Sequence, residues 1–127
     1  MAFKFGEKSL QRRKGVDQRL IQISDLALQI TVIDFGIPPF GGVRTVEDQV
    51  KLYTSGKSKC DGRENKSKHQ LGKALDVYAY VDGKASWENE HLAMVAAAML
   101  QAANRLGYRL EWGGLWPWDK PHFELAD

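Results

Sequence analysis

The chain holds a single cysteine, Cys60, so no intramolecular disulfide is available and the fold does not depend on an oxidising compartment. Cys60 stands in SGKSKCDGRENKS, among small and charged residues, the setting of an incidental exposed thiol rather than an activated nucleophile. Long hydrophobic runs are missing too. No stretch approaches the ~20 apolar residues of a membrane span, which argues against membrane insertion. The start MAFKFGEKSLQRRKG lacks the apolar segment, about 7–15 residues, of a signal peptide. The expectation is a product made in the cytoplasm. Charge of one sign is not in excess either: 18 Lys+Arg against 16 Asp+Glu leave only +2, far from the clustered basic footprint of a nucleic-acid binder. HExxH, P-loop and GxSxG motifs are absent, and only three histidines occur.

What is present suffices for one compact core. At 127 residues and 43% hydrophobic content, a single domain spanning residues 1–127 is expected. Val16, Leu20, Ile23, Ala27 and Ile30 recur at helical spacing and line one helix face. IDFGIPPFGGVRT reads as an extended connection with a tight turn at Gly41-Gly42. Thr45 is a candidate N-cap for a helix running to Gly56, with Glu47 and Asp48 in its first turn. From Ser55 to Lys68 no period is visible, and a loop of that length inside a compact domain points to function. KALDVYAYVDG reads as a strand and turn, with Ala74, Asp76, Tyr78 and Tyr80 on one face and Leu75, Val77, Ala79 and Val81 on the other. Ser86 then caps a helix burying Leu92, Val95, Ala96, Met99, Leu100, Ala103 and Leu106, stopped by Gly107. YRLEW and HFEL are two further short strands. This order predicts an α+β domain with a small, largely antiparallel sheet.

A hydrolytic metal site needs three protein ligands and an open position where water is activated. His69 at the end of the long loop, Asp76 on the following strand and His122 opening the last strand can meet at one point if the two strands pair. Each has a bland reading: His69 as a solvated loop residue, His122 as a neutral strand start, Asp76 as half of an ion pair. Asp76 is the hardest to dismiss, because a carboxylate in an apolar strand needs a cationic partner. Asp119, three residues before His122 in WDKPH, is placed to take a proton from water and deliver it to a leaving amine; its bland reading is a turn residue. Arg44 follows the glycine turn and can polarise a carbonyl. Glu88-x-x-His91 has the spacing of half a di-iron element, but no second copy exists, so His91 is read as solvated. Trp87 is read as core, while Trp112, Trp116 and Trp118 cluster by the proposed site and can line a cleft.

SKHQLGKALD fits the Ser-x-His-x-x-Gly-x-Ala-x-Asp motif of the VanY-like D-alanyl-D-alanine peptidases, and DKPHF fits their later Asp/Glu-x-x-His element. With GGVRT, DQVKLYTSGKSK and the closing WGG…PHFEL, the chain resembles bacteriophage L-alanyl-D-glutamate peptidase endolysins from about Leu20 to Leu125. The resemblance implies the hedgehog/D,D-peptidase type of zinc peptidase fold, an antiparallel sheet flanked by helices with Zn2+ on the sheet. It implies His69, Asp76 and His122 as zinc ligands, Asp119 as general base and Arg44 as the arginine after the glycine turn. Ser67 and Tyr78 are candidates for supporting the ligands. The implied substrate is peptidoglycan, cut by a monomer that is made in the host cytoplasm and acts on the wall after release across the membrane. Removal of terminal D-alanine, or a wall-binding module without catalysis, are the alternatives. Asp119 speaks against the second, since a binder needs no base.

Overall fold

The computed structural model describes residues 3–126; residues 1, 2 and 127 of the expected domain lie outside that range. The apolar stripe after Val16 becomes α2 (Gln18–Ile30), capped by the Asp17 side chain, which accepts the Arg19 N–H. Its buried face is Leu20, Ile23, Ala27 and Leu28. Ahead of it, the polar start forms a short helix that its composition did not announce, α1 (Glu7–Arg12). Side-chain contacts tie α1 down: the Ser9 hydroxyl accepts the Ile37 N–H at 3.0 Å, and Arg13 just beyond the helix donates to Ser24 and Asp25.

Thr45 caps α3 (Val46–Thr54) as expected, accepting the Asp48 N–H. The last helix, α4 (Asn89–Leu106), packs on α2 and ends at Gly107 with φ 79°. Leu92, Val95, Ala96, Met99 and Ala103 are buried as the spacing predicts. Towards its end the buried face turns to Ala98 and Ala102, leaving Leu100 half-buried and Leu106 exposed. Small side chains there allow the two helices to approach, and the longer leucines are turned outward.

The strands make two three-stranded antiparallel sheets, not one. β1 (Asp34–Gly36), β3 (Tyr78–Val81) and β4 (Lys84–Ser86) lie in the order β1-β3-β4; β2 (Ala74–Asp76), β6 (His122–Leu125) and β5 (Leu110–Trp112) lie in the order β2-β6-β5. The strand expected between Lys73 and Val81 is divided at Val77, so one chain segment serves both sheets. Asp82 and Gly83, both at positive φ, then turn the chain into β4. That strand displaces the expected helix cap. Ser86 pairs with Ala79 in the sheet, the helix begins after Glu88, and the Ser86 hydroxyl meets His91 Nδ1 at 2.7 Å. His91 is therefore half-buried and bonded, not solvated. Trp87 is also displaced from the core: it is 51% exposed, with its ring 5.4 Å from that of Tyr78. The core itself joins α2 and α4 to Phe35, Leu75, Val77, Ala79, Phe123 and Leu125 of the strands. The architecture is the expected α+β arrangement flanked by helices, with two small antiparallel sheets in place of one.

Candidate active site

Strand register builds the site. Asp76 stands directly opposite His122 in the β2–β6 ladder. Neither sends its N–H across: Asp76 N–H bonds the Gly41 carbonyl at 2.8 Å and His122 N–H bonds the Asp119 carbonyl at 3.1 Å. Such a non-hydrogen-bonded pair is the close kind, with side chains on one face. The neighbouring pair, Leu75 and Phe123, is fully buried on the other face, and that burial fixes which way Asp76 and His122 point. A register slip of one residue would bury both.

His69 arrives from the long loop. The loop is held because Arg44 and Gly72 both donate backbone N–H groups to the His69 carbonyl, each at 3.2 Å. His69 is 2% exposed, with Nδ1 2.9 Å from the Gly42 carbonyl. Gly42 runs so close to the Arg12 carbonyl that a β-carbon would collide with it, which explains glycine at this turn.

The outer contacts assign the imidazole protons. A carbonyl only accepts, so His69 Nδ1 carries the proton and Nε2 presents a lone pair. His122 Nε2 lies 2.9 Å from the Glu124 carboxylate, so Nε2 carries the proton and Nδ1 presents a lone pair. These two lone pairs and Asp76 Oδ1 form a triangle: 3.2 Å between the nitrogens, 3.2 Å from His69 Nε2 to Asp76 and 3.1 Å from His122 Nδ1 to Asp76. Three acceptors converge with no proton between them when both rings are neutral, which suits a cation. Tetrahedral ligation by N and O at about 2.0–2.2 Å places donor atoms about 3.3 Å apart, so the set fits a zinc-sized ion. The tethers to Gly42 and Glu124 are those that orient ligating histidines. His69, Asp76 and His122 can thus bind a metal ion.

Asp119 is brought in by a closed loop. Gly113 accepts N–H bonds from Trp116 at 3.1 Å and Asp119 at 3.2 Å, and a β-carbon at Gly113 would strike the Asp119 carbonyl. The turn back to His122 leaves the Asp119 carboxylate 3.9 Å from His122 Nδ1, beside the triangle but outside it. Arg44 donates Nε to Phe40 at 2.9 Å, Nη1 to Gln49 at 3.1 Å and Nη2 to Asp76 at 3.2 Å.

The charges follow from these contacts. Burial by itself would raise the Asp76 carboxyl, but when the imidazoles are protonated the charges of His69 and His122 and their hydrogen bonds hold it far below the carboxylate range. Burial opposes a charged His122, yet Asp76 and Glu124 lift its pKa above the ordinary histidine value. Burial, with Asp76 close by, pushes the Asp119 carboxyl above its ordinary value. That is the direction expected of a carboxyl that must both take and return a proton.

A cleft of about 430 Å³ opens over these groups, walled by Arg44, Trp116, Trp118 and the 57–68 loop. A larger hollow of about 970 Å³, between the N-terminal segment and the β3–β4 turn, contains none of them. Of the two supporting candidates, Ser67 lines the cleft; Tyr78 does not, and bonds to Arg12 and Tyr80 on the other sheet. Sequence reasoning passed over Glu124 and Gln49. The signal for Glu124 was its place two residues after His122, on the same strand face. Gln49 carried none, being one polar residue in a polar first turn.

Two donors on paired antiparallel strands, a third from the loop and a carboxyl beside them make a set that can hold a metal ion, in an α+β fold of the D,D-peptidase type. The chain belongs to the family of phage L-alanyl-D-glutamate peptidases, whose family model matches residues 1–125. It is 34% identical over 117 residues to the L-alanyl-D-glutamate peptidase of Escherichia phage T5, covering 91% of this chain and 83% of that protein. Its structure is similar to the crystal structure of the Serratia marcescens L-Ala D-Glu endopeptidase ChiX, with TM-score 0.84 and 32% identity over 97% of this chain and 90% of that one.

Proposed function

We propose that the chain is a zinc-dependent endolysin, a single catalytic domain acting as a monomer, that hydrolyses the L-Ala–D-Glu bond in the stem peptide of peptidoglycan. The observation that carries this reading is the convergence of three lone pairs from His69, Asp76 and His122 beside the Asp119 carboxyl, in a chain of this family. When bound there, zinc supplies Lewis acidity, polarising the scissile carbonyl and lowering the pKa of water.

The rest is the work of side chains. Asp119 takes the proton of the attacking water and hands it to the departing glutamate amine, which its raised pKa favours. Of the five guanidinium N–H groups of Arg44, three are engaged, which leaves two donors on a cleft residue to serve the oxyanion as it forms. Gly42 and Glu124 keep the imidazoles in the tautomers that ligation requires. The enzyme is made in the host cytoplasm and released to the wall by other means; among the described residues no helix is long and apolar enough to cross a membrane.

Mass spectrometry of purified peptidoglycan after digestion tests the reading. New N-termini on glutamate, with alanine left on the lactyl group, are expected. Release of free D-alanine alone would replace it with carboxypeptidase activity, which the motif by itself allowed and no observation of the structure favours.

A further inference from the structure

Hydrolysis at an alanyl–glutamate bond leaves one substrate group without a partner so far. Glutamate has two carboxyls, and whichever continues the stem, the other remains as a free anion next to the scissile bond. The cleft floor offers it nothing. Asp76, Asp119 and Glu124 are themselves carboxylates, and the Arg44 guanidinium is bonded to Phe40, Gln49 and Asp76, with its two remaining donors given to the oxyanion.

The rim differs. Lys57, Lys59, Lys66 and Lys68 all line this cleft, in a chain whose overall excess of positive charge is only +2. Lys68 is turned towards its own strand, 3.5 Å from the Leu125 carbonyl and 4.0 Å from Glu124. Lys59 lies over the Trp118 ring at 5.1 Å, and Trp118 is itself 65% exposed. Lys57 and Lys66 are exposed and have no side-chain partner among the described residues.

These lysines start from anchored backbone. Gln49, fully buried, donates Nε2 to the Ser58 hydroxyl and the Cys60 carbonyl, both at 2.8 Å, which fixes the chain on either side of Lys59. Ser67, buried next to Lys66, donates its N–H to Gln70 at 2.9 Å. The loop therefore turns its small residues inward and its ammonium groups to the cleft mouth.

We propose that Lys57, Lys59 and Lys66 are specificity determinants that bind the free carboxylate of the glutamate residue, so that the enzyme selects an acidic stem peptide over the same peptide amidated at that carboxyl. The inference rests on the endopeptidase reading and deepens it. Flexible ammonium groups act as point charges and follow a carboxylate without demanding one geometry. Being solvated, they give a contribution of about tenfold in kcat/KM that salt screens.

The test uses two synthetic muramoyl peptides that differ only in a free carboxyl or a carboxamide on the glutamate. Steady-state kinetics are measured with the zinc-loaded wild type, the triple variant K57Q/K59Q/K66Q and the charge-keeping K57R/K59R/K66R. The wild type should prefer the acid about tenfold at low ionic strength, mainly through KM, with the preference shrinking as salt rises. In the glutamine variant the ratio should fall towards one, and in the arginine variant it should return. Equal kcat/KM for both substrates in the wild type, or a full preference surviving in the glutamine variant, overturns the inference and leaves the endopeptidase reading standing. Cleavage of neither substrate would overturn both.

Discussion

The same strand segment feeds two polar clusters, one on each sheet, and they are built on opposite principles. On β3, Tyr80 donates its hydroxyl to Tyr78 at 2.9 Å, and Arg12 donates to Tyr78 at 3.3 Å and to the Ile37 carbonyl at 3.0 Å. Each contact there has its proton. On β2, where Asp76 stands two residues before Tyr78, the chain enters a cluster whose outer contacts are satisfied in the same way but whose centre holds three lone pairs facing one another. A closed network only needs to exist, whereas an open one needs a cation. The difference between the sheets is the difference between holding the fold together and being able to hold a metal.

Breaking the open cluster should have the largest effect. His122→Ala or His69→Ala should abolish metal binding and hydrolysis together, read by metal content and by turnover on peptidoglycan. In the closed cluster, Tyr78→Phe should leave both intact. Asp119→Ala comes next: the metal should stay while kcat falls by a factor on the order of 10² or more, because the carboxyl lies beside the triangle and not in it. Loss of the metal in that variant would make Asp119 a ligand.

The two clusters were unequally legible. The motif spacing named His69, Asp76 and His122, and the helical stripes of α2 and α4 were visible because many turns repeat the signal. β1 and β4 are three residues each, too short for alternation to register against a proline- and glycine-rich background. The division at Val77 left no trace in the pattern, since Leu75, Val77 and Ala79 are buried on either side of it. Tyr78 was a candidate for supporting the ligands; the change of sheet between Asp76 and Tyr78 puts it in the closed network instead. Glu124 and Gln49 act through partners distant in sequence, which no local pattern reports.

Gln49 sharpens the comparison. It is a buried polar group tying Arg44 to the 57–68 loop, so Gln49→Leu leaves the Arg44 guanidinium and the Cys60 carbonyl without their partner. Stability should fall by about 1–3 kcal/mol in denaturant titration. Turnover should fall as well, with metal content unchanged, while Gln49→Glu should restore the bond to Arg44 alone.

The smallest effect belongs to Tyr80. Burial and the Tyr78 hydroxyl push its pKa up to about 12, so the folded state favours the protonated phenol. A raised acid pKa gives stability that is complete below the unfolded value of about 10 and is lost as pH rises through the folded one. Thermal melts of the wild type should therefore decline between pH 10 and 12 more steeply than those of Tyr80→Phe, with activity at neutral pH the same in both.

The central claim is that the triangle of lone pairs is completed by one ion. Metal analysis of the purified protein, before and after complete chelation and again after zinc is returned, tests it most directly. About one zinc per chain, hydrolysis lost on chelation and regained on addition of zinc, and no such cycle in His122→Ala are the results this account predicts. Undiminished hydrolysis by protein shown to be free of metal would contradict it.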